Sequence, residues 1–186
     1  MKKIMFNDKY GLTQAVLEGR KTQTRRTFLK PGEDTLLDGI TPEFLISVRS
    51  RYKVGETIAI AQSYKDIHAE ILKEVGPWDL KKEFRQSKGY TNKMFVRAEK
   101  MPHAIRITNI RVQRLQDISD EDCMKEGIWR DENVGLEGTT YWYHGLANSS
   151  FRTPQEAYAS LIDCISGKGT WASNPYVFVY DFELIN

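Results

Sequence analysis

The sequence predicts an α+β domain built on a small, mostly antiparallel β-barrel with flanking helices. Three observations carry that prediction. Residues 104–115 are strand-like but change phase, with Ile105 and Ile107 on one parity and Ile110 and Val112 on the other. A one-residue shift sends side chains to the opposite face, so the flip marks a bulge or sharp bend, and bent strands are how small barrels turn corners. Residues 175–185 form the clearest strand, in which Tyr176, Phe178, Tyr180, Phe182 and Leu184 alternate with Val177, Val179, Asp181 and Glu183. Short helical segments are interspersed among about five or six strands, the composition of a small barrel with helices around it.

The elements follow in order. Lys2 to Phe6 reads as a short strand. Tyr10 to Gly19 reads as a helix, with Leu12, Ala15 and Val16 at helical spacing and Gly19 just past its end. Phe28 to Arg51 has no clean period, and Pro31-Gly32 and Asp38-Gly39 are turn signals, so it reads as a long insertion with little structure of its own. Tyr52 to Glu56 is a tight turn into a strand over Thr57–Ala61. Ser63 to Val75 predicts a helix with Ile67, Ile71 and Leu72 as its apolar stripe and Gly76-Pro77 as its stop. Residues 79–92 are polar and Lys-rich and read as a solvated loop, and Met94 to Ala98 reads as a strand.

Ser119-Asp120-Glu121-Asp122 opens a short helix that contains Cys123, Met124 and Glu126 and stops at Gly127. Trp129 to Phe151 reads as a second long insertion. Thr153-Pro154-Gln155-Glu156 is a helix start with Thr as cap, Pro in the first position and Glu in the third. Ala157, Tyr158, Leu161, Ile162 and Ile165 then form the buried face, and Gly167 and Gly169 end the helix.

Composition narrows the classes. A chain of 186 residues suits one domain, 1–186, with insertions near 30–50, 64–92 and 129–152. It is 40% hydrophobic and 28% charged with a net charge of +2, which allows a real core and excludes a global field for coating nucleic acid. The start, Met1 to Phe6, has no apolar run of signal-peptide type, and no stretch approaches a membrane span. Two distant cysteines, Cys123 and Cys164, fit free, buried thiols in a reducing cytoplasm. His68, His103 and His144 have no ligand spacing, so neither metal nor cofactor is expected.

The most unusual stretch is Gly19-Arg20-Lys21-Thr22-Gln23-Thr24-Arg25-Arg26, which has four cations and no apolar side chain. It reads either as a solvated loop after a helix or as the cationic lip of a site. Lys21 and Thr24 are three apart and would share one side of a turn. Repulsion from Arg20, Arg25 and Arg26 would favour a neutral lysine, which beside a threonine hydroxyl makes a base and nucleophile pair. Residue types alone do not say which carboxylate would complete it. There is no P-loop, GxGxxG, GxSxG or HExxH motif.

Gly19-x-Lys21-x-x-x-x-Arg26 resembles the signature of the ASCH domain family of the PUA-like superfamily. Leu17 to Arg26, Tyr52 to Glu56, Ile105 to Ser119 with Glu126-Gly127-Ile128, and Gly169 to Phe182 are similar to its phage- and prophage-associated branch. The resemblance spans nearly the whole chain and implies a PUA-like barrel with a cleft lined by the lysine motif. A bacterial group within the family removes the acetyl group from N4-acetylcytidine, using Lys as proton acceptor, Thr as nucleophile and Glu as proton donor. By that resemblance the roles fall on Lys21, Thr24 and Glu126. The implied ligand is RNA, a nucleotide or a modified nucleoside in a cationic cleft, with amide hydrolysis as one outcome. The alternatives are a non-catalytic RNA-binding module or a phage-related structural protein. In the RNA-binding reading, Arg20, Lys21, Arg25 and Arg26 contact phosphate while Trp171 and Asn174 hold a base. The chain departs from those enzymes in its greater length and more cationic lip.

Overall fold

A computed structural model of the chain describes residues 1–28, 39–75, 85–132, 138–145 and 150–185, without the side chains of 70–75. The strands are β1 (Lys2–Ile4), β2 (Gln23–Thr27), β3 (Thr57–Ile60), β4 (Ala104–Arg114), β5 (Trp129–Asp131), β6 (Thr140–Trp142) and β7 (Tyr176–Ile185). The helices are α1 (Leu12–Leu17), α2 (Pro42–Arg49), α3 (Tyr64–Val75), α4 (Asp120–Lys125), α5 (Pro154–Ser166) and α6 (Thr170–Ser173). Three single 3₁₀ turns separate α3 from β4, and a fourth separates β4 from α4.

The main sheet has the order β1-β3-β4-β7-β2, antiparallel except for β1 beside β3. The α+β class and the mostly antiparallel pairing follow the sequence reading. The closed barrel does not: β1 and β2 are opposite edges, and among the described residues no pairing joins them. β4 carries the expected irregularity, since its register against β7 shifts between Ile107 and Asn109. The shift keeps Ile105, Ile107 and Ile110 all buried despite their change of parity.

β7 lies between β4 and β2, and Val177 to Tyr180 are buried without interruption. Both faces of this central strand are covered, so its aromatic and valine sets are both core. Phe178 packs on Phe28 with ring centres 4.2 Å apart, and Tyr180 packs edge-on to Tyr52 at 5.2 Å. α5 covers the sheet with Ala157, Tyr158, Leu161 and Ile162, whereas Ile165 is partly exposed. Its start is a complete capping box between Thr153 and Glu156.

Other readings change. The segment read as an insertion after Phe28 contains α2, capped by Thr41 with Pro42 in the first turn; residues 29–38, with Pro31-Gly32 and Asp38, lie outside the described residues. Met94–Ala98 is not a strand but part of two 3₁₀ turns, because the Asn92 side chain accepts from Met94 N and Tyr64 Oη accepts from Arg97 N. Residues 88–90, read as solvated loop, form another 3₁₀ turn with Gly89 buried. Gly76-Pro77 and the side chains of Ile71 and Leu72 lie outside the description, while Ile67 is buried as expected. The second insertion contains the hairpin β5–β6, pinned by stacked Trp129 and Trp142 rings 4.9 Å apart. Cys123 is buried, and burial pushes its thiol up to about 12; Cys164 is exposed, contrary to the expectation of two buried thiols. Among the described residues no helix is long and apolar enough to cross a membrane.

Candidate functional site

The polar run from Gly19 to Arg26 is not a solvated loop: its ends, Gly19 and Arg26, are exposed, but its middle is buried. After α1 the chain turns at Gly19, with φ +72°, and enters edge strand β2, where Gln23 pairs with Asp181 and Thr24 with Tyr180 of β7. Lys21, Gln23, Thr24 and Arg25 are all buried. The solvated-loop expectation fails because Lys21 and Arg25 are matched by acids from a distant part of the chain.

Lys21, Gln23 and Arg25 share a parity and meet α4 and its end. Lys21 Nζ donates to the Glu126 carbonyl at 2.8 Å and to Glu126 Oε2 at 2.5 Å. Arg25 Nη1 donates to Glu126 Oε1 at 3.2 Å and to Gln23 Oε1, and Arg25 Nη2 donates to Asp122 Oδ2 at 2.9 Å. Gln23 Nε2 reaches Asp122 and Asp181 at 3.1 and 2.6 Å. Arg111 closes the network with ion pairs to Asp122 at 2.5 Å and Asp181 at 2.6 Å.

α4 presents these acids because Ser119 caps it, accepting from Asp122 N, and because it stops at Glu126. The stop is Gly127, at φ +103°. A Cβ there would lie 3.3 Å from Leu12 and 3.8 Å from the Lys21 side chain. A side chain would strain the backbone and press on Leu12.

The Lys21–Glu126 pair lines a cavity of about 430 Å³. Thr24, Arg25 and Arg26 line it from β2, Phe6 and Leu12 from the N-terminal region, and Tyr158, Leu161 and Ile162 from α5. The volume falls in the range of small-molecule sites. Thus Lys21, Thr24 and Glu126 border one space. Lys21 and Thr24 are not on one turn, however: β2 begins at Gln23, and among the described residues the Thr24 hydroxyl makes no hydrogen bond, either to Lys21 or elsewhere.

Burial holds the Lys21 pKa below the ordinary lysine value. Desolvation is the largest cause, the Glu126 charge and hydrogen bond oppose it, and Arg26 and Arg25 add smaller repulsion. The direction matches the sequence expectation, but like-charge repulsion is not the main cause. Tyr158 is raised well above its ordinary value by burial and then by the Glu126 charge.

Of the remaining expected ligand residues, Arg20, Trp171 and Asn174 are not among the residues that line this cavity. Arg20 pairs with Glu18 at 2.5 Å and lies 3.9 Å over the Trp129 ring. Trp171 packs edge-on to Tyr158, its N–H donates to Asp163, and its carbonyl accepts from Gln116. Asn174, left-handed at φ 42°, accepts from Gln116 N through its side chain and from Arg114 through its carbonyl. Arg26 lines the cavity and donates to the Met5 carbonyl at 2.7 Å. Sequence reasoning missed Gln23, Asp122, Arg111, Asp181 and Tyr158. The alternation of Lys21, Gln23 and Arg25 is the one local signal that they share a face. Among the described residues no group of three His, Cys, Asp or Glu is placed to hold a metal ion.

No protein-family profile matches the chain. No curated protein matches it either. Among solved structures it is similar to protein EF3133 from Enterococcus faecalis, which carries the family description DUF984. Identity is 14% over 100% of this chain and 80% of that one, with a TM-score of 0.44.

Proposed function

We propose that this chain is a PUA-like ASCH protein that hydrolyses an N-acyl amide on a modified nucleoside, of which N4-acetylcytidine is the type. The observation that carries the reading is the buried Lys21–Glu126 pair on the wall of a cavity that Thr24 also borders. A buried ion pair adds little stability over apolar residues of similar volume, so chemistry accounts for it better than folding does. The cavity also suits a flat base, since Phe6, Leu12, Leu161 and Ile162 offer apolar contact beside the polar groups.

Lys21 Nζ and Glu126 Oε2 lie 2.5 Å apart. In the reacting form Lys21 is the base and Glu126 the acid. Thr24 Oγ1 attacks the acyl carbon while Lys21 takes its proton. The C–N bond then breaks, and Glu126 protonates the departing amine. Lys21 gains the proton that Thr24 loses and Glu126 gives its own to the amine, so the pair ends the step with no net charge. Water attacks the Thr24 ester, gives a proton to Glu126, and releases the acid as Lys21 returns the proton to Thr24 Oγ1. The net reaction is amide plus water to carboxylic acid plus amine. Arg25 holds Glu126 Oε1 and leaves Oε2 facing Lys21, which fixes the direction of proton transfer.

The test is release of cytidine from N4-acetylcytidine by the purified protein, followed by chromatography. Lys21→Ala and Thr24→Ala each lower kcat/KM by about a hundredfold or more. No turnover across a panel of acylated nucleosides and nucleotides would overturn the reading.

A further inference from the structure

A second hollow of about 260 Å³ adjoins the cavity, and Met5, Arg26 and Thr27 line both. Its floor is aromatic: Phe28, Tyr52, Phe178 and Tyr180. Its rim is cationic, with Lys3, Arg26, Arg49 and Arg51, and among the described residues no carboxylate lines it. Glu56, whose charge reaches Tyr52, is already held by Lys2 at 3.0 Å and by the Lys53 amide.

The cations differ in what they have to spare. Lys3 is committed to the Met94 and Val96 carbonyls at 2.6 and 2.7 Å. Arg26 gives one nitrogen to the Met5 carbonyl and keeps its remaining donors. Arg51 lies 5.5 Å from the Tyr52 ring centre. Among the described residues Arg26, Arg49 and Arg51 have no acidic partner, unlike Arg25 and Arg111 on the network side. Tyr52 feels this field: burial raises its pKa, and the charges of Arg51 and then Arg26 oppose the rise.

Three guanidinium groups with no acidic partner among the described residues, over an aromatic floor and one wall away from the cavity, are the chemistry of a phosphate site. We propose that this hollow binds a phosphoryl group joined to the base in the main cavity, so the ligand is a nucleotide unit and not a free nucleoside. Arg26, shared by both hollows, spans the junction between base and phosphate. The inference extends the hydrolase reading by naming its substrate class, but it concerns binding and is tested without turnover.

The experiment is titration calorimetry of the intact protein with cytidine, cytidine 5′- and 3′-monophosphate, and a short single-stranded oligocytidylate. At least one phosphorylated ligand binds about tenfold or more tighter than cytidine, and added salt reduces that advantage. A monophosphate that equals the oligonucleotide marks the source as a free nucleotide, whereas a further gain for the oligonucleotide marks it as a polynucleotide. Arg49→Ala/Arg51→Ala removes the advantage; if that variant does not fold, Arg49→Gln on the exposed end of α2 reduces it. Equal affinities for cytidine and every phosphorylated ligand would overturn the proposal, as would an advantage that survives loss of the arginines. Phosphate-dependent binding with no hydrolysis of any acylated form leaves the subsite standing and sinks the enzyme.

Discussion

Lys21 concentrates the chemistry of this molecule in one nitrogen. Its pKa is lowered by burial, so between the folded value and the ordinary value of 10.5 the unfolded chain carries the extra proton. Stability from this group therefore rises with pH across that window and is lost as pH falls through the folded pKa. Urea unfolding as a function of pH checks this: the rise on the alkaline side disappears in Lys21→Met. The same variant costs about 3 kcal/mol near neutral pH, the low end for breaking a buried pair, because Arg25 still faces Glu126. Gly127→Ala is a second residue-scale test. Strain at φ +103° and tight contact with Leu12 destabilise the fold by about 1 kcal/mol or more, read as a lower melting temperature. Lys21 and Thr24 were legible in the sequence because of their setting in the polar run. Glu126 was reachable only through resemblance, since 105 residues separate it from Lys21. The burial of Arg25 was illegible for the same reason: its partners Asp122 and Glu126 lie 97 and 101 positions away.

Elements were legible where the cause is local. The capping box of α5 is written within four residues, and Thr153→Ala costs about 1 kcal/mol in thermal or chemical unfolding. The irregularity in β4 is written in the parity of four apolar residues. Deleting Thr108, which lies at the register shift between Ile107 and Asn109, puts Ile105, Ile107, Ile110 and Val112 on one parity, so the apolar face is kept and only the local bend is lost. The expected result is unfolding by circular dichroism that stays cooperative at a lower midpoint; loss of cooperative unfolding would show that the bend itself is required. Met94–Ala98 misled because its alternation suits a strand, but side chains from Asn92 and Tyr64 capture its backbone amides. The polar β2 misled in the opposite way. Strands are recognised by apolar alternation, and this one alternates cations and amides whose matching acids come from α4 and β7.

For the whole molecule, the site lies where α5 and the end of α4 cover one edge of the sheet. The cavity is bordered by segments from opposite ends of the chain, so its shape depends on how α5 sits. Ile165, partly exposed on the cavity wall, is the place to test access. Ile165→Trp reduces ligand affinity while leaving the melting temperature within a few degrees, because it fills space at the wall and not in the core. The open order β1-β3-β4-β7-β2 was beyond the sequence, since periodicity gives each strand's faces but not its neighbours.

The long separation between Lys21 and Glu126 also has a consequence for biosynthesis. While the chain is being made, Lys21 is an ordinary solvated amine, and it stays so until the segment carrying Glu126 has emerged and β7, the partner of β2, can follow. Reactivity towards an amine-directed label is therefore a clock for completion: Lys21 is modified in nascent or truncated chains and becomes protected only when the last strand docks.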